Sequence, residues 1–287
     1  MRPQMRARRQ RGGSGVAASG PLFEDTFTSG DLSKSSGGFN WFSPVSATVI
    51  NTATVGLPNV PSGSGHAVRF SFNTTGGGQE AWAELSFNLV PNNSAEGYTT
   101  LFLRYYVYYP TGSEGGTVGP QWFNTNNNGT DSSNNNKFLR LYDAYARTGT
   151  SIAFGASTRG NSVAAGSASV GDETLFFETG APGFYGSPGD FGVSNTFLTS
   201  ARRGTWNKVE FQLTSPTTTP SAWNAGNGIM RMWVNDSLLL ETISASQSPA
   251  NTSYKSGYLM GYQNCTIDNA NARLYLADFA VSSTGRV

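Results

Sequence analysis

The segment 206–213 alternates between apolar and polar side chains, and this pattern constrains the fold more than any other feature of the chain. Val209, Phe211 and Leu213 lie on one side of it, and polar or amphipathic residues lie on the other. A period of two marks a strand with one face in a core and one toward water. A second segment, 229–234, ends in a polar Asn-Asp turn, which predicts an antiparallel arrangement of strands.

Other segments carry similar strand patterns. They are 21–27, 67–73, 81–90, 100–109, 137–142, 151–156, 174–178, 238–243, 257–262 and 273–282. The chain of 287 residues contains 35 Gly and 13 Pro, which suits short strands joined by many turns. No helix longer than a turn or two is expected. A long Asn-rich loop is predicted over 112–136.

Three motifs resemble a known family. The opening F-E-D-x-F followed by G-x-x-W, the late pattern around 204–236, and the closing stretch 274–284 are similar to the concanavalin A-like lectin and glucanase jelly rolls, in particular their polysaccharide-lyase-like branch. The resemblance spans 21–287 and implies an all-β jelly-roll β-sandwich of two antiparallel sheets. It also implies that the closing strand lies beside the first. Because this fold hosts lectins, hydrolases, lyases and structural modules, it does not by itself assign a function.

Residues 1–20 differ from the rest and are interpreted as an extended, basic N-terminal arm. Five arginines and no acidic residues lie there: Arg2, Arg6, Arg8, Arg9 and Arg11. Since the whole chain has 19 Lys and Arg against 18 Asp and Glu, the remainder is mildly acidic. Glycines follow the arginines where a signal peptide needs an apolar run, and no membrane-spanning segment is present. The arm is predicted to anchor the protein to other subunits; a solvated tail and a transit peptide are the alternatives.

Alternation on three strands assigns outward-facing residues to one binding groove. These residues are Trp82, Glu84, Arg104, Tyr106, Tyr108, Arg140 and Tyr142. Aromatic faces stack on sugar rings and arginines pair with carboxylates, so the set predicts an acidic polysaccharide as ligand. A covered sheet face or a subunit contact is the alternative.

Catalysis by this groove is the less favoured hypothesis. In a uronate lyase, Arg104 or Arg140 would neutralise the carboxylate, and Tyr106 or Tyr108 would transfer protons. The family resemblance implies an Arg-x-Glu-x-Arg element and a Gln-x-His element. Here Trp82 and Ser86 replace both arginines, and the second element has no counterpart. The paired carboxylates of a glycosidase are also missing.

Metal and cofactor use is predicted to be small. One cysteine excludes an intrachain disulfide, and one cysteine with one histidine disfavours zinc. No cofactor is expected. A structural calcium at Glu24, Asp25 and Asp278 is the alternative, since the resemblance brings their strands together.

These observations favour a non-enzymatic module of a larger assembly. The expectation is a phage virion decoration, cement or fibre protein that binds surface glycans and is anchored by its arm. The alternatives are a polysaccharide lyase acting on a uronate-containing polymer and a free lectin-like module. The expected location is a virion or an extracellular surface. No membrane partner is expected, and a homo-oligomer is left open. The acidic body lacks a basic stripe, which argues against sequence-specific nucleic-acid binding.

Overall fold

The protein is an all-β sandwich, seen in a computed structural model. The structure describes residues 20–72, 81–111, 135–149, 151–157, 174–179, 190–194, 202–218, 226–245, 248–263 and 273–287. The strands are β1 (Phe23–Asp25), β2 (Ser35–Ser36), β3 (Phe39–Val45), β4 (Ala47–Asn51), β5 (His66–Ser71), β6 (Ala81–Asn88), β7 (Thr100–Tyr108), β8 (Asn135–Tyr142), β9 (Ser151–Ser157), β10 (Thr174–Thr179), β11 (Asp190–Ser194), β12 (Trp206–Thr214), β13 (Gly228–Val234), β14 (Ser237–Ala245), β15 (Ser256–Gln263) and β16 (Arg273–Ser282). Two 3-10 turns are η1 (Thr52–Val55) and η2 (Tyr145–Arg147).

The strands form two antiparallel sheets. Sheet A has the order β14-β13-β12-β7-β16-β5-β4, with β1 also paired to β16, and sheet B has the order β11-β10-β9-β8-β15-β6-β3-β2. The predicted jelly-roll sandwich is therefore confirmed. The pairing of β1 with β16 matches Glu24 to Ala280 and Asp25 to Phe279, which confirms that the closing strand lies beside the first.

The core lies between the two sheets and is strongly aromatic at one end. The core face of β12 is confirmed, because Val209, Phe211 and Leu213 are fully buried in this core. Its other face is not open to water as predicted, since Glu210 and Gln212 are buried as well. Six rings pack against one another near β1 and β3: Phe23, Phe27, Phe39, Trp41, Phe87 and Phe279. Burying such large apolar groups is the dominant favourable term in folding.

A second, smaller apolar cluster lies on the outer face of sheet A. Here the segment 52–65 folds over the sheet, so that Leu57 and Val60 cover Tyr108, Tyr275 and Ala277. The indole N–H of Trp206 also donates to the carbonyl oxygen of Pro58, at 3.2 Å. This part of the outer face is therefore closed to solvent.

The two-residue turn between β13 and β14 has the expected geometry. Asn235 and Asp236 have φ values of +48° and +67°. Positive φ at both central positions is the signature of the type I′ hairpin turn, which Asn and Asp tolerate better than most residues.

Among the described residues, no helix is long and apolar enough to cross a membrane.

Candidate functional site

The outer face of sheet B presents two arginines and two tyrosines side by side. Leu139 and Leu141 of β8 are buried in the core, so Arg140 and Tyr142 face outward. On the neighbouring strand β15, Tyr258 lies directly opposite Arg140.

These side chains contact one another in succession. The guanidinium carbon of Arg140 lies 5.6 Å from the ring centre of Tyr142, and the rings of Tyr142 and Tyr258 are 6.2 Å apart. At the far end, the guanidinium of Arg147 lies 5.8 Å from the ring centre of Tyr258. Cations and aromatic faces attract each other at such distances. We call these four residues the arginine–tyrosine row.

Arg147 belongs to a loop, 143–149, that folds back over sheet B and is held by polar side chains. The backbone N–H of Ala146 donates to Asn88 Oδ1 at 3.0 Å. The N–H of Arg147 donates to Ser256 Oγ at 2.9 Å, and that hydroxyl donates to the carbonyl oxygen of Ala144 at 2.6 Å. Asn88 and Ser256 therefore fix the loop from two adjacent strands.

The same loop contains strained backbone. Ala146 and Arg147 have φ values of +54° and +62°, a region that residues with a Cβ rarely occupy. Each such residue costs on the order of 1–3 kcal/mol and persists only where its surroundings enforce it. Strain of this kind often marks functional sites, so the loop is a candidate for one.

Glu84 fixes the Arg147 side chain from below. Its carboxylate is fully buried, contacts the Arg147 guanidinium, and accepts a hydrogen bond from the Ser86 hydroxyl at 3.3 Å. Among the described residues, Glu84 Oε2 has no hydrogen-bond partner. Burial lowers the pKa of Arg147 from its ordinary value of 12.5, but an arginine stays charged at neutral pH. The buried pair therefore holds a cation at the end of the row.

Arg140 is positioned in a different way. Its Nε donates to Ser151 Oγ at 2.8 Å, across the pair formed by β8 and β9. Arg140 and Tyr142 are both half-buried, so part of each side chain remains open to solvent. Tyr258 is only 5% exposed, so the surface that the row offers to a ligand consists of the Tyr142 ring with the guanidinium groups of Arg140 and Arg147.

The prediction of one groove shared by three strands is wrong. Arg104, Tyr106 and Tyr108 lie on β7, which pairs with β12 and β16 in sheet A. Glu84 and Arg140 lie on β6 and β8, which flank β15 in sheet B. Because the outer faces of two packed sheets point in opposite directions, the seven residues cannot line one groove.

Two residues of the predicted set are also less accessible than expected. Tyr108 is only 2% exposed and packs against the rings of Trp206 and Tyr275. Glu84 does lie on the outer face of its sheet but is covered by Arg147. The side chain of Trp82, the loop 112–134 and the arm arginines lie outside the described residues.

The three carboxylates named for calcium do not converge. Asp25 points into the core, where its Oδ2 accepts from the Trp41 indole N–H and its Oδ1 accepts from the Phe27 N–H, both at 2.8 Å. Glu24, the neighbouring residue on β1, points to the outer face of sheet A. Within the described residues, no group of three acidic, histidine or cysteine side chains is placed to hold a metal.

Sequence reasoning missed Tyr258 and Arg147. The strand 257–262 was expected, but it has no clear alternation, since a glycine, Gly257, occupies a core position and the consecutive residues Leu259 and Met260 both belong to the core. Leu259 on the core face was the available signal that Tyr258 points outward. Arg147 sits in a loop, where periodicity gives no orientation.

Comparisons with known proteins found similarity to solved structures at low sequence identity. No family model and no curated protein matches it. Solved structures that are similar include endo-β-1,4-glucuronan lyase from the fungus Trichoderma reesei, with 12% identity, a TM-score of 0.47, and coverage of 92% of this chain and 96% of that one. Alginate lyase vAL-1 from Chlorella virus has 12% identity, a TM-score of 0.47, and coverage of 86% and 93%. A carbohydrate esterase from Shiga toxin-encoding bacteriophage phi24B has 10% identity, a TM-score of 0.45, and coverage of 91% and 97%. At these scores, the similarities do not assign a function.

Proposed function

We propose that the protein is a carbohydrate-binding jelly-roll module whose arginine–tyrosine row binds an acidic polysaccharide. The succession of cation–aromatic and ring–ring contacts among Arg140, Tyr142, Tyr258 and Arg147 on one outer face is the observation that carries this proposal. Tyrosine faces suit the C–H faces of sugar rings. Guanidinium groups form charge-assisted, bidentate hydrogen bonds with carboxylates. A polymer that carries a carboxylate on each sugar satisfies both requirements.

Binding without catalysis fits the row better than catalysis does. A general base has to reach the proton that it abstracts, but the Glu84 carboxylate is buried beneath Arg147. His66 belongs to β5 of sheet A, where its Nδ1 lies 2.9 Å from the carbonyl oxygen of Ser64. Neither residue is placed to act on a polymer lying along the row.

A polysaccharide lyase is the second candidate, because the Tyr258 ring lies beside the Arg147 guanidinium. A tyrosine next to a cation can act as an acid or a base. In a uronate lyase, the proton at C5 is removed and the oxygen at C4 leaves with a proton, so a C4–C5 double bond forms. Tyr258 replaces Tyr106 and Tyr108 in this candidate, because those two lie on the other sheet, but its exposure of only 5% counts against the role.

Calorimetric titration with polyuronates tests the binding proposal. Alginate, polygalacturonate and glucuronan are the probes, and uncharged dextran is the control ligand. We expect Arg140→Ala to weaken polyuronate binding by about tenfold or more, which corresponds to about 1.4 kcal/mol. The matched control is Arg231→Ala, since Arg231 is paired with Glu241 on sheet A and its loss changes the net charge equally.

The outcomes of this titration are distinct. Loss of affinity in Arg140→Ala alone supports the row as the site. No binding to any of the three polyuronates, or equal weakening by both variants, contradicts the proposal. Release of unsaturated uronate, followed by ultraviolet absorbance and abolished by Tyr258→Phe, would replace the binding module with the lyase.

The place of this module in a larger assembly rests on the basic arm. We assign to the arm's five arginines the role of joining the module to partner subunits, in a phage virion decoration, cement or fibre protein. Arginine-rich segments suit acidic partner surfaces, and such contacts weaken as salt is added. In this proposal the sandwich binds surface glycans while the arm supplies attachment.

A further inference from the structure

A pocket opens on the outer face of sheet A, on the side of the sandwich opposite the arginine–tyrosine row. Its volume is about 240 Å³. The residues that matter for its chemistry are Glu24, Thr26, Ser62, Arg104, Tyr106 and Asp278. The volume is below the ~300–1,000 Å³ typical of pockets for drug-sized ligands, so it suits one small group rather than a polymer segment.

A β-bulge shapes this pocket. Tyr106 and Arg104 are two residues apart on β7, but their partners on β16, Ala277 and Ala280, are three apart. The extra residue of the bulge lies between Ala277 and Ala280, where Asp278 has a φ of +52°. Bulges of this kind re-aim side chains and are frequent beside binding sites. The irregular pairing therefore lies between the two pocket side chains of β7.

The bulge is locked to the covering segment. Asp278 is 4% exposed, and its carboxylate accepts from the Ser62 N–H at 2.9 Å and from the Ser62 hydroxyl at 2.5 Å. These two bonds join residues 216 positions apart in the chain. Asp278 is thus a fixed wall of the pocket rather than a free carboxylate.

Arg104 and Glu24 face each other across the pocket without a close bond. Arg104 Nη2 lies 3.8 Å from Glu24 Oε1, and Arg104 Nε is buried with no hydrogen-bond partner among the described residues. An oxygen atom beside such a pair can lie within hydrogen-bond distance of both groups. A ligand hydroxyl would donate to the Glu24 carboxylate and accept from the Arg104 guanidinium.

The charges and shape of the pocket select the ligand class. Two carboxylates surround one guanidinium, so a negatively charged ligand is repelled. Tyr106 is half-buried and offers part of its ring, while Thr26 and Ser62 carry hydroxyl groups. An amphipathic aromatic wall beside several hydrogen-bonding groups matches a pyranose ring.

We propose that this pocket is a second site, which binds one neutral sugar residue. The sugar packs against Tyr106, and one of its hydroxyls bridges Glu24 and Arg104. The site is separate from the polyuronate face on sheet B, and neither proposal depends on the other.

Ligand-observed saturation-transfer NMR on the full chain tests this site. The probes are the methyl glycosides of glucose, galactose and mannose, with glucuronate as the charged comparison. We expect at least one neutral glycoside to receive saturation, and Glu24→Gln to weaken it at least about fivefold through the loss of a charge-assisted bond. Glu241→Gln is the matched control, because Glu241 is a partly exposed, arginine-paired glutamate of the same sheet.

A second variant, Tyr106→Leu, removes the ring but keeps an apolar side chain, and we expect it to abolish saturation transfer. The proposal is overturned if no neutral glycoside binds, or if Glu24→Gln and Glu241→Gln behave alike. Glucuronate binding as tightly as the neutral sugars would also overturn it. Arg140→Ala should leave the neutral-sugar signal unchanged, which separates this site from the polyuronate face.

Discussion

Asp25 is a carboxylate placed inside an aromatic core. It is 1% exposed, and both of its oxygens accept hydrogen bonds, from Trp41 and from the backbone of Phe27. Burial raises the pKa of Asp25 above its ordinary 3.8, although those two hydrogen bonds oppose the rise. The Trp41 indole N–H and the Phe27 backbone N–H would both lose their acceptor if the carboxylate were removed. Asp25 therefore holds the orientation of the Trp41 indole.

We expect Asp25→Asn to destabilise the fold by about 1–3 kcal/mol at neutral pH, because the amide accepts at one atom and leaves a buried donor unpaired. The difference also depends on pH. Since the pKa is raised in the folded state, folding takes up a proton, and wild-type stability gains as pH falls through the folded pKa toward 3.8. Urea unfolding should therefore show that the difference in free energy of unfolding between the wild type and Asp25→Asn widens on acidification.

Asp31→Asn is the matched control for this measurement. Asp31 is exposed, and hydrogen bonds from Ser33 lower its pKa. Its contribution to stability is therefore present at neutral pH and lost as pH falls, which is the opposite direction. A gap for Asp25→Asn that stays constant or narrows on acidification would contradict the assignment of a raised pKa to the buried carboxylate.

The residue scale also shows what the sequence could not tell. The alternation on β6 correctly put Glu84 on the face away from the core. It carried no information that Arg147, 63 positions later, would cover that carboxylate, because the ion pair depends on a loop with positive φ values. Facing away from a core and being exposed are separate properties.

At the scale of elements, strand β15 positions the arginine–tyrosine row, because it carries Tyr258 and pairs with β6 and β8. Gly257 lies between its neighbours without space for a side chain. A Cβ there would lie 2.5 Å from the carbonyl oxygen of Arg140 and 2.6 Å from Cζ of Phe87. The adjacent residue, Tyr258, occupies the middle of the row. Close approach of the backbones at Gly257 therefore sets the position of Tyr258.

We expect Gly257→Ala to destabilise the protein by about 1–3 kcal/mol, because the backbone of β8 has to move to admit the methyl group. Polyuronate affinity should fall as well, since Tyr258 and Arg140 shift with the strands. Thermal unfolding and the polyuronate titration measure the two effects. Gly285→Ala is the control, because a Cβ at Gly285 meets nothing within 4 Å. Equal stability of the two variants would show that β15 accommodates the side chain.

The sequence predicted the bounds of some strands more accurately than those of others. Strongly alternating strands such as β7 and β12 were found within one or two residues of their ends. In contrast, β3 was recognised only through the motif that ends at Trp41, because it contains Pro44 and a Ser43 with φ of +43°. Residues typical of turns obscure a bulged strand.

Sheet membership was the main error of prediction, and its cause lies in long-range pairing. Strand β15 lies between β6 and β8, although more than 100 residues separate it from either in the chain. Alternation tells which way a side chain points relative to its own strand, but not which strands share a sheet. Arg104 and Arg140 were consequently assigned to one groove when they lie on opposite faces.

On the scale of the whole molecule, the sandwich carries two surfaces of different charge on opposite sides. One outer face carries the arginine–tyrosine row, and the other carries a pocket in which carboxylates outnumber the guanidinium. Packed sheets are about 10 Å apart, so changes on one face are expected to add to, rather than couple with, changes on the other. The basic arm differs from both in charge, since it is positive while the rest of the chain has 14 Lys and Arg against 18 Asp and Glu.

The arm is expected to act in attachment and not in folding. Removal of residues 1–19 should leave the unfolding temperature and polyuronate affinity unchanged, because among the described residues the buried core begins at Phe23, the first residue of β1. The role in attachment is tested by limited trypsin digestion of two samples, the protein within its native assembly and the isolated chain. Mass spectrometry then measures how fast the arm is cleaved in each. Cleavage after Arg6, Arg8, Arg9 and Arg11 should be rapid in isolation and suppressed in the assembly, whereas Arg2 precedes Pro3 and is not a trypsin site. Raising the salt concentration should restore cleavage in the assembly, since arginine contacts with acidic surfaces are screened. If the arm is clipped equally fast in both samples while the protein stays attached, attachment must come from the sandwich itself, and the polyuronate face becomes the surface to test for it.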